Sequence, residues 1–170
     1  MALLPIITAP DPRLKKVCDP VEAVDDEIRR LMDDMLETMY AAPGIGLAAP
    51  QVGVLKRVIV VDIAGDDEEK APLYMANPEL VAVSDDDAAY EDYGEVARPA
   101  KIRVRFLDRE NEIREMEAEG LLATCIQHEM DHLDGILFVD HLTALKRNMI
   151  LRKLLKAKKS NTPLASYATV

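Results

Sequence analysis

Gly120-Leu121-Leu122-Ala123-Thr124-Cys125-Ile126-Gln127-His128-Glu129-Met130-Asp131-His132-Leu133 reads as one helix that is apolar on most sides. A helix apolar nearly all round is a buried one, and Asp134-Gly135 supplies its stop. Inside it lies His128-Glu129-Met130-Asp131-His132. Residues at i and i+4 are neighbours on a helix, so His128 and His132 can share one metal ion, and Glu129 falls where a general base would stand beside a metal-carried water. Polar groups buried in such a helix need partners, and a metal ion supplies them.

Working outward, the buried helix needs elements to wrap it. After Asp25 and Asp26, Ile28, Leu31, Met32, Met35, Leu36, Met39 and Tyr40 recur at helical spacing and form one apolar stripe that Pro43-Gly44 ends. The methionines there read as core filler. Asp11-Pro12-Arg13-Leu14 looks like a short helix start. Arg57–Ile63 is a β-branched run and predicts a buried strand. Further strands are expected near Leu73–Met75, Glu79–Val83, Ile102–Leu107 and Ile113–Glu117, the last two joined as a hairpin through Asp108-Arg109-Glu110-Asn111. Gly65-Asp66-Asp67-Glu68-Glu69 is a solvated turn, and a final helix is expected from about Thr143. Strands early and a buried helix late predict an α+β fold, with strands packed around the central helix. One domain is expected over residues 1–159, with 160–170 a loosely ordered tail.

Composition narrows the function classes. The 170 residues suffice for one domain with a real core, and a formal charge of −10 argues against a general nucleic-acid or membrane binder. No secretory signal or membrane-length apolar run is read from the sequence, and two distant cysteines, Cys18 and Cys125, imply no disulfide framework. These features together predict a cytoplasmic protein.

Two histidines do not complete a metal site. One large peptidase class places a third His six residues after the second, but position 138 is Phe138. Another takes a Glu well downstream, and no Glu follows Glu129. A third ligand must come from upstream, from His141 or from a nearby Asp. Cys125 shares the helix face of His128 and His132. A metal between those histidines nevertheless sits roughly 8 Å farther along the axis, against the ~2.3 Å of a thiolate bond. Cys125 therefore reads as a small pocket-lining residue.

Gly44-Ile45-Gly46-Leu47-Ala48-Ala49-Pro50-Gln51 is the second constellation. Glycines flanking Ile45 let backbone approach a ligand closely, and the Gln51 amide can donate to a developing oxyanion. Taken with Gln127-His128-Glu129-Met130-Asp131-His132-Leu133-Asp134-Gly135, it resembles bacterial peptide deformylase. The likeness extends through Pro10-Asp11-Pro12-Arg13-Leu14, Met35 to Tyr40, Asn77-Pro78-Glu79-Leu80 and Glu119-Gly120-Leu121-Leu122-Ala123, and covers the chain to about Leu145.

The resemblance implies removal of the formyl group from the initiator methionine of new polypeptides. It implies one divalent metal, ferrous iron in the cell, with zinc or nickel able to replace it. By motif, His128 and His132 would be ligands, Glu129 the base and Gln51 the holder of the formyl oxygen. Ile45 and Gly46 would bind substrate backbone, and Leu121, Thr124 and Cys125 would line the methionine pocket. The family also carries Glu-Gly-Cys-Leu-Ser, whose Cys is its third metal ligand, and this chain does not contain it. The familial flanks meet as though a short segment had been cut out between Glu91 and Asp92. Three accounts fit: residues of the molecule missing from this sequence, a true deletion, or replacement of the ligand by Glu91, Asp92 or Glu95. A true deletion would also suit a peptide-binding module without turnover.

Beyond the motifs, Lys146, Arg147, Arg152, Lys153, Lys156, Lys158 and Lys159 stand in a region with no acidic residue after Asp140. They suit a solvated helix, or contact with ribosomal RNA phosphates. Neither DNA nor a membrane is expected as a partner.

Overall fold

The structure is a computed structural model that describes residues 2–88 and 97–137. Its centre is β2 (Val58–Val61), whose four residues are all fully buried. That is what the unbroken β-branched run demands: a strand covered on both faces has no polar side to present. β2 lies in a five-stranded antiparallel sheet of order β1-β2-β3-β6-β7, with β1 at Gly46–Ala48, β3 at Leu73–Val83, β6 at Lys101–Leu107 and β7 at Ile113–Glu119.

Strand alternation divides the core into two. Val58, Val60, Leu47 and Ala76 face α1 (Asp26–Ala41) and pack on Ile28, Met32, Met35 and Met39. Ile59, Val61, Ala48 and Met75 face α2 (Gly120–Leu133) and pack with Ala123, Cys125, Ile126 and Leu133. The three α1 methionines are core filler, as expected. Asp25 caps α1 by accepting from the Ile28 N–H at 3.0 Å, and Asp26 and Glu27 in the first turn suit the helix dipole. The short helix start at Asp11 is a 3-10 turn over Pro12–Lys15.

The β6–β7 hairpin forms as predicted, in register from Lys101↔Glu119 to Leu107↔Ile113. Its outer face pairs Arg103 with Glu117 at 2.5 Å and Arg105 with Glu115 at 3.6 Å, while Ile102, Val104 and Phe106 point inward. Three features differ from the sequence reading. The strands expected at Leu73–Met75 and Glu79–Val83 are one strand with register shifts on either side of Glu79-Leu80. Asn77 takes a positive φ of 50° there, and its side chain exchanges two 2.8 Å hydrogen bonds with the Val21 backbone, so the Asn-Pro step makes a bulge instead of an end. The Gly44–Gln51 stretch contains β1 and a 3-10 turn over Ala49–Val52. A small two-stranded ladder joins β4 (Asp87–Ala88) to β5 (Arg98–Pro99). The expected C-terminal helix, its basic residues and the 160–170 tail lie outside the described residues.

α2 follows β7 directly, through Gly120 at φ 63°. Its far end is held firmly: the Leu133 carbonyl accepts from the Cys18 N–H at 2.8 Å and from Arg57 Nη1 at 3.1 Å, and Arg57 also reaches Asp134 at 2.9 Å. A guanidinium is well placed at a helix C-terminus. Gly135, at φ 73°, passes so close to the Lys15 carbonyl that a Cβ would stand 2.4 Å from that oxygen.

Met35→Ala removes a fully buried side chain between α1 and the sheet. It is expected to cost about 2–5 kcal/mol, read as a lower urea midpoint with an unchanged m-value.

Candidate metal centre and active site

α2 brings His128, Glu129 and His132 together. Their ligand atoms lie within 4.8 Å of one another, all three residues are buried, and the two imidazole centroids are 5.0 Å apart. Glu129 Oε1 stands 3.9 Å from His128 Nε2. Both Glu129 oxygens are buried without a hydrogen-bond partner among the described residues. Leaving a carboxylate in that state is costly, and burial accordingly pushes its pKa up to about 8, with Asp131 adding to the rise and Arg98 opposing it. Two imidazoles and an unsatisfied carboxylate converging in a dry site are a donor set suited to a divalent cation.

β1 and the 3-10 turn pack against this helix. Gly46 shares a face with Ala48, the face turned to α2. A Cβ on Gly46 would sit 2.8 Å from Cys125 Sγ and 2.9 Å from Glu129 Cγ. This close approach is what the glycine is for. The Ile45 carbonyl accepts from the Asp62 N–H at 2.9 Å and from the Cys125 thiol at 3.5 Å. Asp62 is itself fixed, its carboxylate accepting from the Tyr40 hydroxyl at 2.5 Å and from the Ala64 and Ala71 N–H groups. Gln51 is buried, and its Oε1 accepts from the Ala48 N–H at 2.9 Å. The carbonyl end of the amide is thereby fixed, and the NH2 end is its donor half.

The helix also carries contacts that have no local sequence signature. Arg98, itself buried, donates to Asp131 at 2.9 Å, and Gln127 donates to the Pro99 carbonyl at 3.0 Å. Residues 127 and 131 are one turn apart, so β5 is clamped along the metal-motif helix at two successive turns. No local pattern in Ala97-Arg98-Pro99 marks it as a helix clamp; the pairing is purely tertiary. Asp131 and Asp134, open as nearby ligands from sequence, are engaged by Arg98 and Arg57. His141, Glu91, Asp92 and Glu95 lie outside the described residues. Thr124 and Cys125 are buried on α2, and Leu121 packs against the cluster that holds Cys125 and Ala48.

Comparison with known proteins agrees with the arrangement. The family profile described as polypeptide deformylase matches residues 3–148. A peptide deformylase of Phenylobacterium zucineum is 56% identical over 168 aligned positions, covering 94% of this chain and 99% of the relative. Since 94% of 170 residues is about 160, about eight of those positions have no counterpart here. The crystal structure of peptide deformylase from Ehrlichia chaffeensis superposes with a TM-score of 0.87 at 36% identity, covering 94% of this chain and 99% of that one. A second structure of that protein, in complex with actinonin, gives a TM-score of 0.84 at 38% identity and covers 95% of this chain and 100% of that one.

Two outcomes follow from the geometry. Gly46→Ala is expected to cost about 1–3 kcal/mol through overpacking, measured by thermal or urea unfolding. In chelated, metal-free protein, Glu129 titrates near 8 folded but near 4.5 unfolded. A raised carboxyl contributes full stability below the unfolded value and loses it as pH climbs through the folded value. Unfolding free energy should therefore fall by an amount of order 4 kcal/mol between pH 5 and 8, and Glu129→Gln should flatten that slope.

Proposed function

The chain belongs to the polypeptide deformylase family, and we propose that His128, Glu129, His132 and Gln51 carry the family's reaction in it. The protein is a metal-dependent hydrolase that removes the N-terminal formyl group from formylmethionyl peptides of newly made proteins. The observation that carries the assignment of residues is the buried convergence of two imidazoles with a carboxylate that has no donor among the described residues.

His128 and His132 would hold a divalent metal, which would supply Lewis-acid polarisation and lower the pKa of water beside it. Glu129 accepts the proton of the attacking water. A neighbouring cation favours its ionised form and so draws its pKa down from the value set by burial alone. The oxygen that gives up this proton bonds to the formyl carbon, and charge moves onto the formyl oxygen. Gln51, fixed through its Oε1, presents its NH2 to that oxygen. Glu129 then hands its proton to the peptide nitrogen as the C–N bond breaks, releasing formate and a free amino terminus.

β1 ends the sheet among the described residues and pairs only with β2. Its open side, beginning at Ile45 and Gly46, suits an extended peptide adding by backbone hydrogen bonds. Leu121, Thr124 and Cys125 are assigned to the methionine pocket on the same helix. Iron(II) is assigned as the metal in the cell, with zinc or nickel as substitutes. The cytoplasm is assigned as its place, where new chains are made; among the described residues no helix is long and apolar enough to cross a membrane. The cluster from Lys146 to Lys159 supports ribosome contact through phosphates. Residues 1–159 are taken as the catalytic domain.

Formate release from a formylmethionyl peptide by iron-loaded protein tests this reading. Glu129→Gln should lower kcat by at least about 10²-fold with metal retained, and Gln51→Ala by about 10²–10³-fold. Tight peptide binding without formate release by the unmodified protein would instead identify a binding module.

A further inference from the structure

Metal binding by this chain raises a question that its cysteines answer. The sequence contains two, Cys18 and Cys125, and both are buried and outside any disulfide. Cys18 is bonded through its N–H to Leu133 at the far end of α2, and the charged groups acting on its thiol are Arg57, Asp134 and Asp19. Cys125 lies on α2 a turn before His128, with Sγ turned to the Ile45 carbonyl at 3.5 Å. Its sulfur is not part of the cluster whose ligand atoms converge within 4.8 Å. A cation shared by His128 and His132 lies roughly 8 Å from Cys125 along the axis, more than a cysteine side chain spans to make a bond of ~2.3 Å. Residues 89–96 contain no cysteine either.

We infer that this chain holds its metal through nitrogen and oxygen atoms alone, with no thiolate in the coordination sphere. The inference rests on the metal-dependent reading above and concerns how this particular chain satisfies it. His128 and His132 supply the nitrogens. Oxygen comes from water or from a carboxylate, with Glu129, which converges on the site, kept as the base. Two consequences follow from donor softness. The site discriminates among divalent ions as imidazole–carboxylate sites do, without the preference for soft ions that sulfur confers. The coordination sphere also contains no atom that climbs the cysteine oxidation ladder.

Cobalt(II) is the probe, because a thiolate ligand adds an intense near-ultraviolet charge-transfer band to the visible bands of the ion. Full-length protein loaded with cobalt should bind one equivalent and show visible bands but no thiolate band. Cys18→Ala and Cys125→Ala should leave that spectrum unchanged, and His132→Ala should abolish it. A near-ultraviolet band that either cysteine variant removes would overturn the inference. Failure to bind cobalt at all would overturn it equally. Formate release measured on the same samples keeps the two readings apart: a thiolate band with turnover defeats only the sulfur-free site. Bound cobalt without that band, and without formate release by the cobalt- or iron-loaded protein, defeats only the activity.

Discussion

Burying the Glu129 carboxylate where no hydrogen-bond donor among the described residues reaches it is the arrangement around which this molecule is organised. A solvated glutamate could not keep a tuned proton affinity, and an unsupported one would draw water in or pull the helix outward. The helix stays because its apolar sides face the sheet through Ala123, Ile126 and Leu133. The site is thus stabilised by contacts that have nothing to do with its chemistry, and the polar motif rides on the apolar helix.

The supports of α2 are spread over distant parts of the chain. Cys18 and Arg57 hold its last carbonyl, Gly135 lets it turn against Lys15, and β5 grips it through Arg98 and Gln127. The backbone at Ile45 has its own fixings, through Asp62 and Tyr40. The two sets meet at Gly46, where strand and helix touch without an intervening side chain.

Much of this could be read from sequence because it is periodic or chemically marked. The β-branched run gave β2, the 3.6-residue stripe gave α1, and His128, Glu129 and His132 share a face by helix geometry alone. Other features depend on atoms far apart in the chain. Arg98 is one arginine among many until it is found beside Asp131, and β1 is only Gly-Leu-Ala, with no strand signature of its own. Asn77-Pro78 carries a local signal for a break, but the tertiary hydrogen bonds to Val21 convert it to a bulge. In Gly44–Gln51 the close approach falls at Gly46 alone, against Cys125 and Glu129, and the short strand there has no local signature.

The clamp at Gln127 and Asp131 has a mechanical side. With its far end anchored and two successive turns gripped laterally, the helix holds His128, Glu129 and His132 in a stiff frame. Across from it stands a strand of three residues, bonded along a single edge. Compliance in this architecture is therefore unequal: the anvil is the helix and the jaw is β1. Any adjustment at this contact falls to the strand, leaving the spacing among His128, Glu129 and His132 undisturbed.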